Sequence, residues 1–242
     1  MDSVSSRRLE ICPSSRRPVG FLDLPFELRR NIYCQCLVRK DSIKLHKLFI
    51  CNWRFRKSCN SDARKSLLLV SKQVGCEALD VLYGDNVFQK VLDRSGGGAG
   101  HCILKYLSEA NRQRIRNVQI VLQPDGYGYS RMLDSALWSP ILAGLKKLSI
   151  VALQPLQANR YRWPCSLEKD MQEWMEWVRI ILQYIAPQLS SSCIIEVDEI
   201  DRKKTSALMK EYFPTGYREV HTLEGDLHRE EMRDPADSIL TW

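Results

Sequence analysis

Five short apolar segments rich in β-branched residues recur through the second part of the chain, each separated from the next by a helix-forming stretch. They are NVFQKVL (86–92), IRNVQIVL (115–122), LKKLSIVAL (145–153), SCIIEVDEI (192–200) and YREVHTL (217–223). Between them lie HCILKYLSEANRQ, SALWSPILAGL, SLEKDMQEWMEWVRIILQYIAPQL and KKTSALMKEYF. This β/α alternation predicts a mixed α/β fold with a mainly parallel sheet, because parallel neighbours need a crossover and a helix is the usual one. The near-continuous apolar character of the strands predicts burial on both faces.

The strand segments recur at unequal intervals, and Leu-Lys-Lys-Leu-Ser-Ile resembles a degenerate leucine-rich-repeat strand, although no strict repeat period survives. An irregular, repeat-like β/α layer is the expected architecture; a compact three-layer α/β domain is the competing one. The best-defined helix spans 166 to 187, with Ser166 as its cap, Glu168 and Asp170 in its first turn and Pro187 at its end. Leu167, Met171, Trp174, Val178, Ile181, Leu182 and Ile185 share its apolar stripe. Trp177 and Tyr184 lie off the centre of that stripe, with core packing as their expected fate.

Upstream the pattern differs. Asp23 is placed to cap a helix running to about Val38, Pro25 fits its first turn, and Glu27 suits the helix dipole. Leu28, Ile32 and Cys36 recur every four residues, with Leu24, Tyr33 and Leu37 beside them, so this stripe is the predicted covered face. Residues 39–65 read as an exposed basic insertion in which IKLHKLFI alternates like a short strand. Ser66 then caps a predicted second helix through Leu67, Val70, Val74, Ala78 and Val81 to Gly84. The chain thus divides into a tail expected to be disordered (1–20), a helical module (21–88) and an α/β region (89–242).

Charge is unevenly spread. The whole chain has a formal charge of +7, yet residues 1–72 hold 16 Lys and Arg against 6 Asp and Glu. Such a surplus fits an anionic partner or a solvated face. The longest apolar runs are far short of the roughly 18 residues that cross a bilayer, so no membrane-spanning segment is expected. The first 20 residues lack the apolar core of a secretory signal, and nine cysteines without one read as reduced thiols in the cytoplasm or nucleus.

Residue patterns that carry chemistry are scarce. The loop SGGGAG (95–100) has neither dinucleotide nor P-loop spacing, because His101 and Cys102 stand where Gly or Gly-Lys would be needed. Glu196, Asp198, Glu199 and Asp201 read as a solvated strand end rather than a cation site. No Ser or Cys nucleophile has a convincing His and carboxylate context, and the cysteines and histidines show no zinc spacing. A non-catalytic protein without a cofactor is expected. The stretch NWRFRKSCNSDARK interleaves Trp53 and Phe55 with Arg54, Arg56 and Lys57, residue types that stack on bases and neutralise phosphates. Nucleic-acid association through residues 53–72 is therefore one alternative function, and a purely structural scaffold is another.

Two blocks bear a family resemblance. Leu24-Pro25-x-Glu27-Leu28-Arg29-x-x-Ile32-Tyr33 is followed by Leu67-Leu68-x-Val70-Ser71-Lys72-Gln73-Val74, Glu77-Ala78, Leu82-Tyr83 and Asn86-x-Phe88. Together, over about 40 residues, they resemble the fungal F-box-like pattern. The resemblance implies a helical module docking on a Skp-type adaptor of a Cullin-type ubiquitin ligase, with the α/β part recruiting an unknown target protein. It assigns adaptor contacts to Leu24, Pro25, Ile32 and Leu37, with Leu67, Val70 and Val74 supporting them or sharing their face.

Overall fold

The computed structural model of the chain describes residues 20–45, 66–94, 103–124, 132–155, 167–199, 204–222 and 225–227. Their centre is a six-stranded sheet in which every neighbouring pair is parallel and the spatial order is the sequence order, β1 to β6. The strands are β1 (Ile43–Lys44), β2 (Val87–Asp93), β3 (Asn117–Gln123), β4 (Lys147–Ala152), β5 (Ile194–Glu199) and β6 (Arg218–Glu219). All five strand segments expected from the sequence are present, and β1 comes from the alternating IKLHKLFI stretch. The central strands match in register: Phe88, Val118, Leu148 and Ile195 are successive partners, as are Lys90, Ile120, Ile150 and Val197.

Sequential order has a geometric consequence. Parallel crossovers are almost always right-handed, so a sheet whose order never reverses sends each connecting helix to the same side. The helices after β2 are α3 (Glu109–Gln113), α4 (Ser135–Ala143), α5 (Leu167–Ile185) and α6 (Lys204–Tyr212). Trp138 of α4, Trp174, Trp177 and Ile181 of α5, and Leu208 and Met209 of α6 form one core with Val118, Ile120, Leu148 and Ile150. Trp177 is buried as expected. Tyr184 packs against the same core, with its hydroxyl 3.2 Å from Ser139 Oγ.

The alternate positions point to the opposite face. There Val91, Val121, Val151 and Leu153 form a separate buried cluster. Two residues before Val91 and Val121, on the same face, Gln89 Nε2 donates to Gln119 Oε1 at 3.0 Å across the strands. The strands are thus buried on both sides, as their unbroken apolar runs predict, and these buried amides satisfy each other.

Ahead of the sheet, α1 (Phe26–Leu37) packs on α2 (Lys72–Gly84) through Tyr33, Leu37, Val74, Ala78 and Val81. Two boundaries differ from expectation. Asp23 lies in a 3-10 turn (Phe21–Asp23) and accepts from Gly20 N at 2.8 Å, so α1 starts behind Pro25 without a side-chain cap. Ser66 belongs to a helical turn at 66–69; the chain bends at Val70, and Ser71 caps α2 by accepting from Val74 N at 3.2 Å. A Cβ on Gly75 would stand 2.8 Å from the Leu68 carbonyl, so a residue without a side chain lets the turn fold back on α2.

The helical pair and the sheet are joined by Asn86, buried just before β2. Its Nδ2 donates to the Leu37 and Leu82 carbonyls at 3.2 and 2.9 Å, and its Oδ1 accepts from Arg39 N at 2.8 Å. The chain after α1 is thereby brought beside the entry of β2, where Ile43 and Lys44 pair with Phe88 and Gln89. Part of the segment read as an exposed insertion is therefore in the sheet, with Ile43 and Leu45 buried. The division between residues 88 and 89 falls inside β2.

Asn86→Ala leaves the buried carbonyls and the Arg39 amide without these partners, each loss costing about 1–3 kcal/mol where water cannot compensate. Urea unfolding is expected to show a destabilisation of about 2 kcal/mol or more, and Asn86→Asp is expected to be no milder, because it sets a buried carboxylate oxygen against the Leu37 and Leu82 carbonyls in place of the donor.

Candidate functional site: the exposed face of the first helix

The orientation of α1 is set by a buried charge. Arg29 donates from Nε to Glu77 Oε2 at 2.9 Å and from Nη2 to Oε1 at 2.7 Å, a bidentate pair between α1 and α2. Tyr33, one turn on, donates its hydroxyl to Glu77 Oε2 at 2.9 Å. Gln73 Nε2 adds a third donor side chain at 3.0 Å, and Arg29 Nη1 reaches the carbonyls of Leu22 and Leu24. A guanidinium held this way has its donors satisfied inside the protein, which makes its burial tolerable. The Arg29 interaction holds the Glu77 carboxyl down at about 2, with Gln73 and Tyr33 acting in the same direction.

Because residues four apart share a helical face, burial of Arg29 brings Tyr33 and Leu37 inward with it. The neighbouring stripe then turns outward: Leu28 is 50% exposed, Ile32 40%, and Cys36 and Pro25 are also exposed. This reverses the sequence expectation, which placed Leu28, Ile32 and Cys36 on the covered face. Tyr33 and Leu37, flanking that stripe, fill the core with α2 instead, and Arg29 on their face is buried with its charge paired to Glu77. Phe26 extends the apolar surface at the first turn, with the Arg29 guanidinium 5.9 Å from its ring centroid.

The residues assigned to adaptor contact separate into two groups. Pro25, Ile32 and Val70 are exposed, while Leu24 and Leu67 are half-buried. Leu37 and Val74 are each 1% exposed and lie between the helices, where they position the surface rather than form it. Leu28, Phe26 and Leu69 are exposed apolar residues that the sequence assignment left out. The i to i+4 repeat that would have found Leu28 was visible, but spacing alone does not tell a docking stripe from a core stripe.

The other patterns resolve differently. Trp53, Arg54, Phe55, Arg56 and Lys57 lie outside the described residues, as do the glycine-rich loop, His101 with Cys102, Ser166 and His228. Asp198, read as part of a solvated strand end, is fully buried: its Oδ2 accepts from the amide and hydroxyl of Thr222, both at 2.6 Å. Gly225 approaches so closely that a Cβ there would lie 2.2 Å from Asp198 Oδ2. Glu196 is half-buried and paired with Lys147 at 2.8 Å. Among the described residues no group of three or more His, Cys, Asp or Glu is placed to hold a metal ion, and no helix is long and apolar enough to cross a membrane.

The lowered pKa of Glu77 gives the interlock a defined pH dependence. Its contribution to stability is complete above the ordinary carboxyl value of 4.5 and is lost as pH falls through about 2. The difference in thermal midpoint between the wild type and Glu77→Gln is therefore expected to stay constant above about pH 5.5 and to narrow as pH falls from about 4.5 toward 2. A difference that does not vary over that range would show that the Glu77 charge does not hold the helices together.

No family model matches this chain, and no curated protein or solved structure matches it either, so the capability of the site rests on its own geometry.

Proposed function

We propose that the chain is a non-catalytic, F-box-like interaction protein that docks on a Skp-type adaptor through the outer face of α1 and presents a target-binding β/α layer behind it. The observation that carries this reading is the exposed stripe of Pro25, Leu28, Ile32 and Cys36 on a helix whose other face is locked to α2. Amphipathic helices bind apolar grooves through anchors at this spacing, and a helix already held in place loses little further freedom on docking. The two-block sequence resemblance supplies the identity of the partner.

The sequential parallel strands, with their helices on one side, support a leucine-rich-repeat-like reading of the layer. In this reading Asn86 ties the module to the layer, so that a docked adaptor and a bound target keep a set geometry. A protein of this kind needs no cofactor and acts by proximity, as a receptor within a ubiquitin ligase.

Co-purification with a Skp-type adaptor, followed by titration calorimetry, tests the proposal. Leu28→Asp and Ile32→Asp each place a charge in the contact and are expected to weaken binding by about tenfold or more while leaving the fold intact. Leu37→Ala acts differently: it opens a cavity costing about 2–5 kcal/mol of stability and leaves the contact surface in place. Absence of a complex at adaptor concentrations of about 100 µM, corresponding to binding weaker than roughly 5.5 kcal/mol, would remove the adaptor from the reading.

A further inference from the structure

Near the carboxyl ends of the strands, Arg94 is paired with Glu173 at 2.9 Å and with Asp170 at 3.6 Å. Along the amino ends the chain carries a surplus of cations. Arg39 N bonds to Asn86 at the entry of β2; Asn117 at the start of β3 bonds to Gly84; Lys146 N bonds to the Arg116 carbonyl; and Ile194 N bonds to the Lys146 carbonyl. Arg39, Lys40, Arg116 and Lys146 thus lie on one continuous rim.

Three other cations around this rim have acidic partners: Arg30 with Asp85, Arg114 with Asp80 and Lys147 with Glu196. Among the described residues Arg39, Lys40, Arg116 and Lys146 have no acidic partner, and Arg116 Nη1 donates to the Gly144 carbonyl at 2.9 Å. Arg39, Lys40 and Lys146 are exposed, and Ile194 beside Lys146 is 42% exposed. The rim therefore combines unneutralised positive charge with an apolar contact.

We propose that this amino-terminal rim binds an acidic, extended protein segment, with Arg116 and Lys146 engaging its carboxylates and Ile194, one strand beyond Lys146, contacting an apolar side chain at the end of the acidic run. From β1 to β5 there are four strand spacings, about 19 Å at roughly 4.8 Å each, the reach of about six residues of extended chain. The charge pattern favours a protein segment over a nucleic acid. Asp41, Asp80 and Asp85 interrupt the line of cations; a peptide can set neutral residues opposite them, whereas a nucleic acid carries a charge at every phosphate. The proposal does not rest on adaptor docking, which uses the outer stripe of α1.

Fluorescence anisotropy with a labelled acidic octapeptide of Asp and Glu ending in Leu provides the test, with its Asn/Gln counterpart and a labelled oligothymidine as comparators. The acidic peptide is expected to bind the full chain, to weaken markedly between about 50 and 500 mM salt, and to outcompete both comparators. Arg116→Glu and Lys146→Glu are each expected to weaken it by about tenfold, while Lys210→Glu at an exposed position of α6 changes it by less than about twofold. The exposed Lys146 variant keeps the test valid if Arg116→Glu disturbs the fold, which circular dichroism reports. Equal affinity in the Lys146 and Lys210 variants, tighter binding of oligothymidine, or no binding of the acidic peptide at about 50 mM salt would overturn the proposal.

Discussion

The bidentate pair between Arg29 and Glu77 governs the amino-terminal half of the structure. It joins helices that are remote in sequence, draws Tyr33 and Leu37 into their shared core, and leaves Leu28 and Ile32 facing outward. Helix rotation is discrete in effect: with 100° between successive residues, choosing Arg29 as the inward residue chooses the outward stripe as well. The apolar face proposed for docking is thus a by-product of where one charge finds its partner. Since Glu77 is held ionised down to about pH 2, the interlock is not weakened in the physiological range.

The sheet depends on a different constraint. Six parallel strands in sequence order leave no point at which the order reverses, so the crevice where doubly wound sheets bind their ligands is missing by construction. Binding surfaces must instead come from strand ends, connections or flanking helices. Buried polar groups inside the layer serve cohesion: Gln89 and Gln119 satisfy one another, and Asp198 ties the segment after β6 to β5.

Much of this was legible in the sequence for identifiable reasons. Strands such as NVQIVLQ and KLSIVA are buried on both faces, so their apolar runs stand out, and α5 declared itself through a stripe sustained for five turns. The cap of α2 was misplaced because Ser66 and Ser71 are both good N-caps, and only the fold-back of Leu68 on Gly75 separates them. Asp198 was misread for a related cause: an acidic run near a strand end resembles a solvated one until Thr222, 24 residues on, supplies its donors.

By itself, the sequence determined the alternation of strands and helices, the parallel sheet that follows from it, and the pairing of two helical blocks at the amino-terminal side. These are local matters of periodicity, β-propensity and turn residues, and they can be read within windows of a few turns. Tertiary structure alone decided which stripe of α1 is covered, which serine caps α2, that Asn86 fastens the helices to the sheet, and which cations on the amino-terminal rim stay unneutralised. The stripe and the Asn86 fastening depend on partners tens of residues away and the cap on a close approach of Leu68 to Gly75, and contacts of these kinds leave no periodic trace in the chain.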